Sequence, residues 1–393
     1  MSTKGLILAG LGLMVAGSAA VLIAKFVLID TKASALDAGR YLGHRANAAG
    51  LYERPGNGVF YSPFNARVAP MDKLLLVDFK DDPEYASIEM QTFDDARGRA
   101  ARVLLYPHQG PADYYYSDPA FVDPGETDRN TVVPDMRYAF EVTASGLDAS
   151  LRMRDKGGRL IDVRLKEASH KKWSRGFLAP VGGSSAVTFD HFPLYHMKNM
   201  NFMPRRGAAP VVEIGGERRA PVTLPVPLNR EMVYRTRYTD SPIIGQWNRP
   251  HHGELPALRP ERPLVCQDGS TTYDLVDQAG HLEIRAMTSR GDRHAVGFEF
   301  SPPIPDLPAL KDGAEVAGRF AAGADEVRGI VAGTYRVRRL GPAVEMEIRP
   351  LKGWQPFPGP IWVKAWTWKG TITAGPDGRV FLTSAWTRKN PAG

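Results

Sequence analysis

The chain has 393 residues, 43% of them hydrophobic and 24% charged, with a net charge of +7. That length admits two domains with a sizeable core, and that composition excludes a disordered chain. The positive charge is scattered: the densest basic runs are His170-Lys171-Lys172, Arg205-Arg206 and Arg218-Arg219. No Lys/Arg block interleaves with aromatics, so nucleic acid is not an expected partner. Anionic lipid headgroups fit the balance better. The 39 Gly and 32 Pro favour short strands joined by turns over helical bundles. Cys266 is the single cysteine, which rules out a disulfide framework.

From the N-terminus, Gly5 to Ala24 reads GLILAGLGLMVAGSAAVLIA, uncharged and almost wholly apolar. As a helix, twenty residues rise about 30 Å, the hydrocarbon thickness of a bilayer. Residues 1–30 are therefore read as a single transmembrane anchor, with Lys25 snorkelling to an interface. A cleaved signal peptide is the rival reading, but Ala33-Ser34-Ala35 lies far from the end of the apolar run. Lys25, Lys32, Arg40 and Arg45 outnumber Lys4 across the span, which would hold the domain in the cytoplasm. A short tail before a first apolar helix directs export instead. The expectation adopted is a single-pass membrane protein with an extracytoplasmic, periplasmic domain.

Residues 31–50 read as a connector, and beyond them the pattern is that of strands. Leu147, Ala149, Leu151 and Met153 alternate with polar residues, turn through Asp155-Lys156-Gly157-Gly158, and resume at Ile161, Val163 and Leu165. Period-two alternation around a Gly turn predicts an antiparallel hairpin. The same grammar predicts Thr272–Val276 joined through Asp277-Gln278-Ala279-Gly280 to His281–Met287, and Trp362–Thr373 joined to Val380–Trp386. The fold class is all-β: two antiparallel barrel or sandwich halves, 51–203 and 231–393, around a Pro-rich linker at 204–230. A second Pro-rich run, Pro250–Pro263, reads as a long loop.

A weak internal echo supports two halves: Tyr138–Thr143, Gly146 and Leu147–Arg154 match Tyr335–Arg339, Gly341 and Ala343–Arg349. In length and organisation, residues 50–390 resemble the tandem-lipocalin proteins of the carotenoid-hydratase (hydroxyneurosporene synthase) type. The resemblance implies lipocalin-like halves and an apolar or polyene-like ligand in or between barrels. It rests on no diagnostic motif, so it transfers no site residue.

Two stretches carry candidate chemistry. In Ile361–Trp368 a strand would turn Trp362, Lys364, Trp366 and Trp368 to one face, where indoles can stack on a ring or polyene. A plain core or an aromatic belt explains the same pattern. In Phe189–Phe202, Asp190 and His191 pair as a base and its orienting partner, with Tyr195, His196 and Asn199 as ligand contacts at a cavity mouth. A satisfied interdomain linker is the plain alternative there. His191 and His196 stand five apart with no third ligand nearby, so no metal is expected, and no cofactor.

The expected function is a membrane-anchored β-barrel protein that binds an apolar lipid- or polyene-like molecule. If it is an enzyme, it works by acid–base chemistry as a hydratase, isomerase or cyclase. The competing reading is a non-catalytic β-sandwich that binds glycan or scaffolds an envelope assembly.

Overall fold

The computed structural model describes residues 45–48, 50–110, 112–122, 129–143, 146–168, 175–178, 190–225, 227, 231–262, 264–325, 330–352 and 366–388, together with Leu42. The side chains of 175–178, 195, 197–199 and 352 lie outside this description. The protein is almost all β, with 67% strand and 3% helix and a curled half-barrel sheet. Among the described residues no helix is long and apolar enough to cross a membrane. The expected anchor, residues 1–30, lies outside them.

A fifteen-stranded sheet comprises β1 (Ala66–Ala69), β2 (Lys73–Lys80), β3 (Tyr85–Asp95), β4 (Gly98–Pro107), β5 (Asp113–Tyr116), β6 (Asn130–Val132), β7 (Arg137–Thr143), β8 (Gly146–Arg154), β9 (Leu160–Glu167), β10 (Arg175–Leu178), β11 (Phe192–Pro204), β12 (Ala208–Ile214), β13 (Glu217–Pro221), β14 (Val233–Thr239) and β15 (Ser241–Trp247). The main path runs β1-β15-β11-β14-β2-β13-β12-β9-β8-β7, and β3 to β6 branch from β2. A ten-stranded sheet follows: β16 (His251–Leu255), β17 (Val265–Asp268), β18 (Thr271–Gln278), β19 (His281–Arg290), β20 (Ala295–Ile304), β21 (Glu315–Ala324), β22 (Ile330–Leu340), β23 (Ala343–Lys352), β24 (Trp366–Ala374) and β25 (Val380–Arg388). It is a meander from β17 to β25, with β16 paired on β25.

The predicted hairpins are present. Met153 pairs with Ile161 across β8–β9, and Val276 with Glu283 across β18–β19. The alternation works as expected: Leu147, Ala149, Leu151 and Met153 are all buried, together with Ile161, Val163 and Leu165. They fill the core of the first sheet with Leu75, Val77, Ile88, Met90 and Tyr238.

The division between the sheets falls at 248–250, not in the Pro-rich stretch. Residues 208–214 and 217–221 are β12 and β13, and β14 and β15 also belong to the first sheet. Pro221 ends β13, and Pro210 lies ahead of the Val212–Ile214 stretch of β12 that pairs with β13, so among the described residues β12 is an edge there and a missing N–H costs little. The Pro250–Pro263 run is likewise not all loop. His251 and His252 lie in β16, where His252 Nδ1 is 2.9 Å from Thr383 Oγ1.

Residues 51–65 are stitched to the second sheet. Tyr52 bridges Leu310, Phe60 exchanges two backbone hydrogen bonds with Leu258, and Gly58 N–H donates to Gly280. Gly56 passes so close to Gly280 that a Cβ would sit 1.9 Å from the Gly280 carbonyl carbon, so only glycine fits. This strap ends at Phe64, which stacks on Phe300 of β20 at 4.9 Å and lies 6.1 Å from Trp368 of β24. Strands four apart in a flat sheet are about 19 Å apart. One ring touching both means the meander curls around it.

Candidate functional site

The two stretches singled out in the sequence do meet. Phe192 of β11 lies 5.8 Å edge-on from Trp366 and 5.0 Å from Trp386. What they form is a packed aromatic core. Trp366 and Trp368 are 2% and 0% exposed, among Phe64, Phe192, Trp247 and Trp386. Their indoles pack inside the half-barrel, because strand alternation turns them onto the sheet's buried face. Trp362 and Lys364 lie outside the described residues.

Asp190 and His191 precede β11 and form the expected pair. Asp190 Oδ1 is 2.5 Å from His191 Nδ1, and Arg249 Nε is 3.4 Å from Asp190 Oδ2. Neither described cleft is lined by them. His196 shares the Phe192–Leu194 face of β11 and is fully buried. Its two ring nitrogens have no hydrogen-bond partner among the described residues, and burial pushes its pKa down to about 3, so it is neutral. Tyr195 and Asn199 lie in β11, with their side chains outside the description.

A second Asp–His pair escaped the sequence reading. The β18–β19 turn is built on Ala279 and Gly280, both at positive φ, and launches β19 at His281. Residues two apart share a strand face, so His281 and Glu283 stand side by side. His281 Nδ1 is 2.8 Å from Asp306 Oδ2. The Tyr52 ring stacks on His281 at 3.7 Å, and its hydroxyl donates to Glu283 Oε1 at 2.5 Å. The Asp306 N–H donates to the Tyr52 hydroxyl at 3.3 Å. Asn47 Nδ2 donates to Pro303 O, and Gln278 Nε2 to Asn47 O.

Burial raises the pKa of both carboxyls. Desolvation of Glu283 outweighs hydrogen bonds from Tyr52 and Asn47 and the charge of His281. Desolvation of Asp306 outweighs its bond to His281 and the more distant Arg54. Desolvation, with help from Glu283, raises the Tyr52 phenol as well. This is a set of protonatable groups in which carboxyls keep their protons longer than usual.

Asp306 also opens outward. It lines a cleft of about 370 Å³ together with Arg54, Asn57 and Tyr61 of the strap and the β24–β25 turn. Most of the remaining wall is apolar: Pro55, Val59, Pro308, Ala309, Pro376 and Val380. A cleft that combines apolar side chains with a few placed polar groups is a common form of a small-molecule site.

Another buried carboxyl, Glu89, also has a pKa raised by burial. Tyr106 donates to it at 2.7 Å and Gln91 at 2.5 Å, while Arg102 donates to Gln91. That network is satisfied internally and lines neither described cleft, which marks it as structural.

No sequence signal joined these residues. Tyr52 and Glu283 are 231 positions apart, and His281 to Asp306 spans 25. The one local hint was a His and a Glu two apart directly after a tight turn. No family model matches the chain, no curated protein matches it, and no solved structure matches it, so the site rests on its own geometry.

Proposed function

We propose that this is a membrane-tethered β protein that binds an apolar or amphiphilic molecule in the Asp306 cleft and moves protons on it. The observation that carries the reading is Asp306 itself. Asp306 lines a cleft of mixed polar and apolar surface, and its carboxyl is backed at 2.8 Å by a buried histidine. A carboxyl with a raised pKa is a general acid, and one backed by an imidazole has a partner for the charge it leaves behind.

The chemistry that follows is simple. Asp306 gives its proton to a double bond or ring oxygen of the bound molecule. The cation so formed either returns a proton to the Asp306 carboxylate, which isomerises or cyclises the molecule, or captures a water that then loses one, which hydrates it. His281 stabilises the carboxylate between these steps. Tyr61 is the one aromatic ring among the cleft residues and can face cationic charge. The apolar run at residues 5–24 supports the choice of ligand, since a molecule taken from a bilayer never crosses water. The buried state of Trp366 and Trp368 weighs against stacking sugars on them.

The test uses the full chain in detergent with a lipid extract of the source membrane, followed by mass spectrometry. The wild type should convert a component with gain of one water or with no change in mass. Asp306→Asn should not. An Asp306→Asn variant as active as wild type sinks the assignment. Loss confined to Asp190→Asn would move the chemistry to the Asp190–His191 pair.

A further inference from the structure

A second cleft, of about 460 Å³, lies on the first sheet, between β7 and the end of the β2–β3 hairpin. Four consecutive residues of β7, Tyr138 to Glu141, form one wall. Consecutive residues point to opposite faces, so what they share along that wall is the strand's edge. β7 ends the sheet path and pairs with β8 alone among the described residues. The opposite wall holds Thr92, Phe93 and Asp94. Lys73–Thr92 is the last β2–β3 pair, with the Asp72 N–H donating once more to the Thr92 carbonyl, so Phe93 and Asp94 pair with β4 alone among the described residues. Two strand edges without a further strand partner among the described residues thus face each other across a slot.

The chemistry that satisfies free N–H and C=O groups on both sides is an extended main chain. With ~3.3 Å rise, ~4.8 Å between strands and ~10 Å across a sheet, a strand residue occupies roughly 160 Å³, so the slot holds about three. Thr92 adds a second sign: it is 7% exposed, and its hydroxyl has no hydrogen-bond partner among the described residues. Charge fixes the ligand further. Asp72 is paired with Lys73 and Arg293, and Asp94 with Arg99. Glu141 is exposed and makes no ion pair among the described residues. Phe140, beside it, points into the core.

We infer that this slot binds an extended peptide as an added strand, with a Lys or Arg opposite Glu141 and an apolar residue opposite Phe140. Opposite charges across a strand pair favour binding, and like charges oppose it.

The probe is a labelled, acetylated and amidated peptide, Thr-Val-Lys-Val-Thr, titrated by fluorescence polarisation against the full chain in detergent. It should bind saturably, with about fivefold preference over its Thr-Val-Glu-Val-Thr counterpart. Glu141→Lys, a change on an exposed side chain, should reverse that preference. Backbone N-methylation of the peptide should abolish binding, because it removes edge donors and leaves the side chains intact. Equal binding of the N-methylated peptide, no binding of either peptide, or an unchanged preference in Glu141→Lys would each overturn the proposal. A dimer by light scattering that the peptide cannot dissociate would overturn it in favour of a second copy of the chain.

Discussion

Two Asp–His pairs at hydrogen-bond distance stand among the described residues, and they differ in almost everything but composition. Asp190 and His191 are adjacent in sequence, and their carboxylate is shared with Arg249 at 3.4 Å. His281 opens β19 and Asp306 follows the end of β20, and Asp306 lines a cleft beside a second buried acid, Glu283. A guanidinium beside a carboxylate fixes its charge and suits it to holding structure. A buried carboxyl whose neighbours are an imidazole, a phenol and another acid is costly to ionise, and so it keeps its proton to higher pH than an ordinary carboxyl. The comparison teaches that the pair alone is not the signal. The signal is a pair without a fixed countercharge and with access to a cleft.

The largest effect expected is therefore a difference between the two pairs. Asp306→Asn or His281→Gln should lower turnover of the molecule found in the lipid-extract assay by about 10²–10⁴-fold, the usual worth of a positioned acid or base. Asp190→Asn should change it by less than about threefold. Measured kcat/KM for these three variants and His191→Gln decides it, and a large loss at His191 with none at His281 would invert the comparison. The next effect is on stability. Trp368→Ala and Phe64→Ala should each cost about 3–5 kcal/mol in denaturant unfolding, since both residues fill the half-barrel interior. Phe64→Ala tests something more, because that ring ends the strap that carries Tyr52 and Arg54. A cost near 1 kcal/mol would mean the strap is held by its backbone bonds alone.

The same contrast explains what could be read from the sequence. Hairpins such as β8–β9 were legible because alternation and a Gly turn are local, and burial of Leu151 or Val163 follows from them. The Asp190–His191 contact was legible for the same reason. The fold boundary was not: prolines in β12 and β13 and at the margins of β16 resemble linkers until their pairing partners are known. Trp366 and Trp368 could be placed on one face, but not which side of the sheet that face meets. Strand pattern gives parity, whereas burial depends on the curl of the sheet and on a strap from 300 residues upstream. The Tyr52–Glu283 contact spans 231 positions, and no periodicity encodes it.

Tyr52 allows a finer test, with a smaller expected effect. Tyr52→Phe keeps the ring stacked on His281 and removes the hydroxyl between Glu283 and the Asp306 N–H. The loss should be about 1–3 kcal/mol, the cost of leaving a buried acceptor without its donor. A neutral result would mean that stacking alone holds the strap to β19.

The smallest effect is a pH dependence, and it separates the acids by sign. Burial raises the Glu283 and Asp306 carboxyls above the ordinary range, so the folded chain binds their protons more tightly than the unfolded chain. Stability from these groups is whole below the ordinary carboxylate range and is lost as pH rises through their raised values. Asp72 runs the other way. Its burial is outweighed by hydrogen bonds from Lys73 and Arg293, which hold its pKa down, so its contribution is present above the ordinary range and lost in acid. Unfolding midpoints for wild type, Glu283→Gln and Asp72→Asn across pH 2 to 8 should therefore diverge in opposite directions. Glu283→Gln should gain on wild type as pH rises, because a neutral amide has no ionisation to suppress. Asp72→Asn should lose to wild type over the same span. If Glu283→Gln instead tracks wild type at every pH, Glu283 ionises as easily in the fold as out of it. Its neighbour Asp306 would then gain no proton-holding environment from it, and the distinction between the two pairs would rest on the cleft alone.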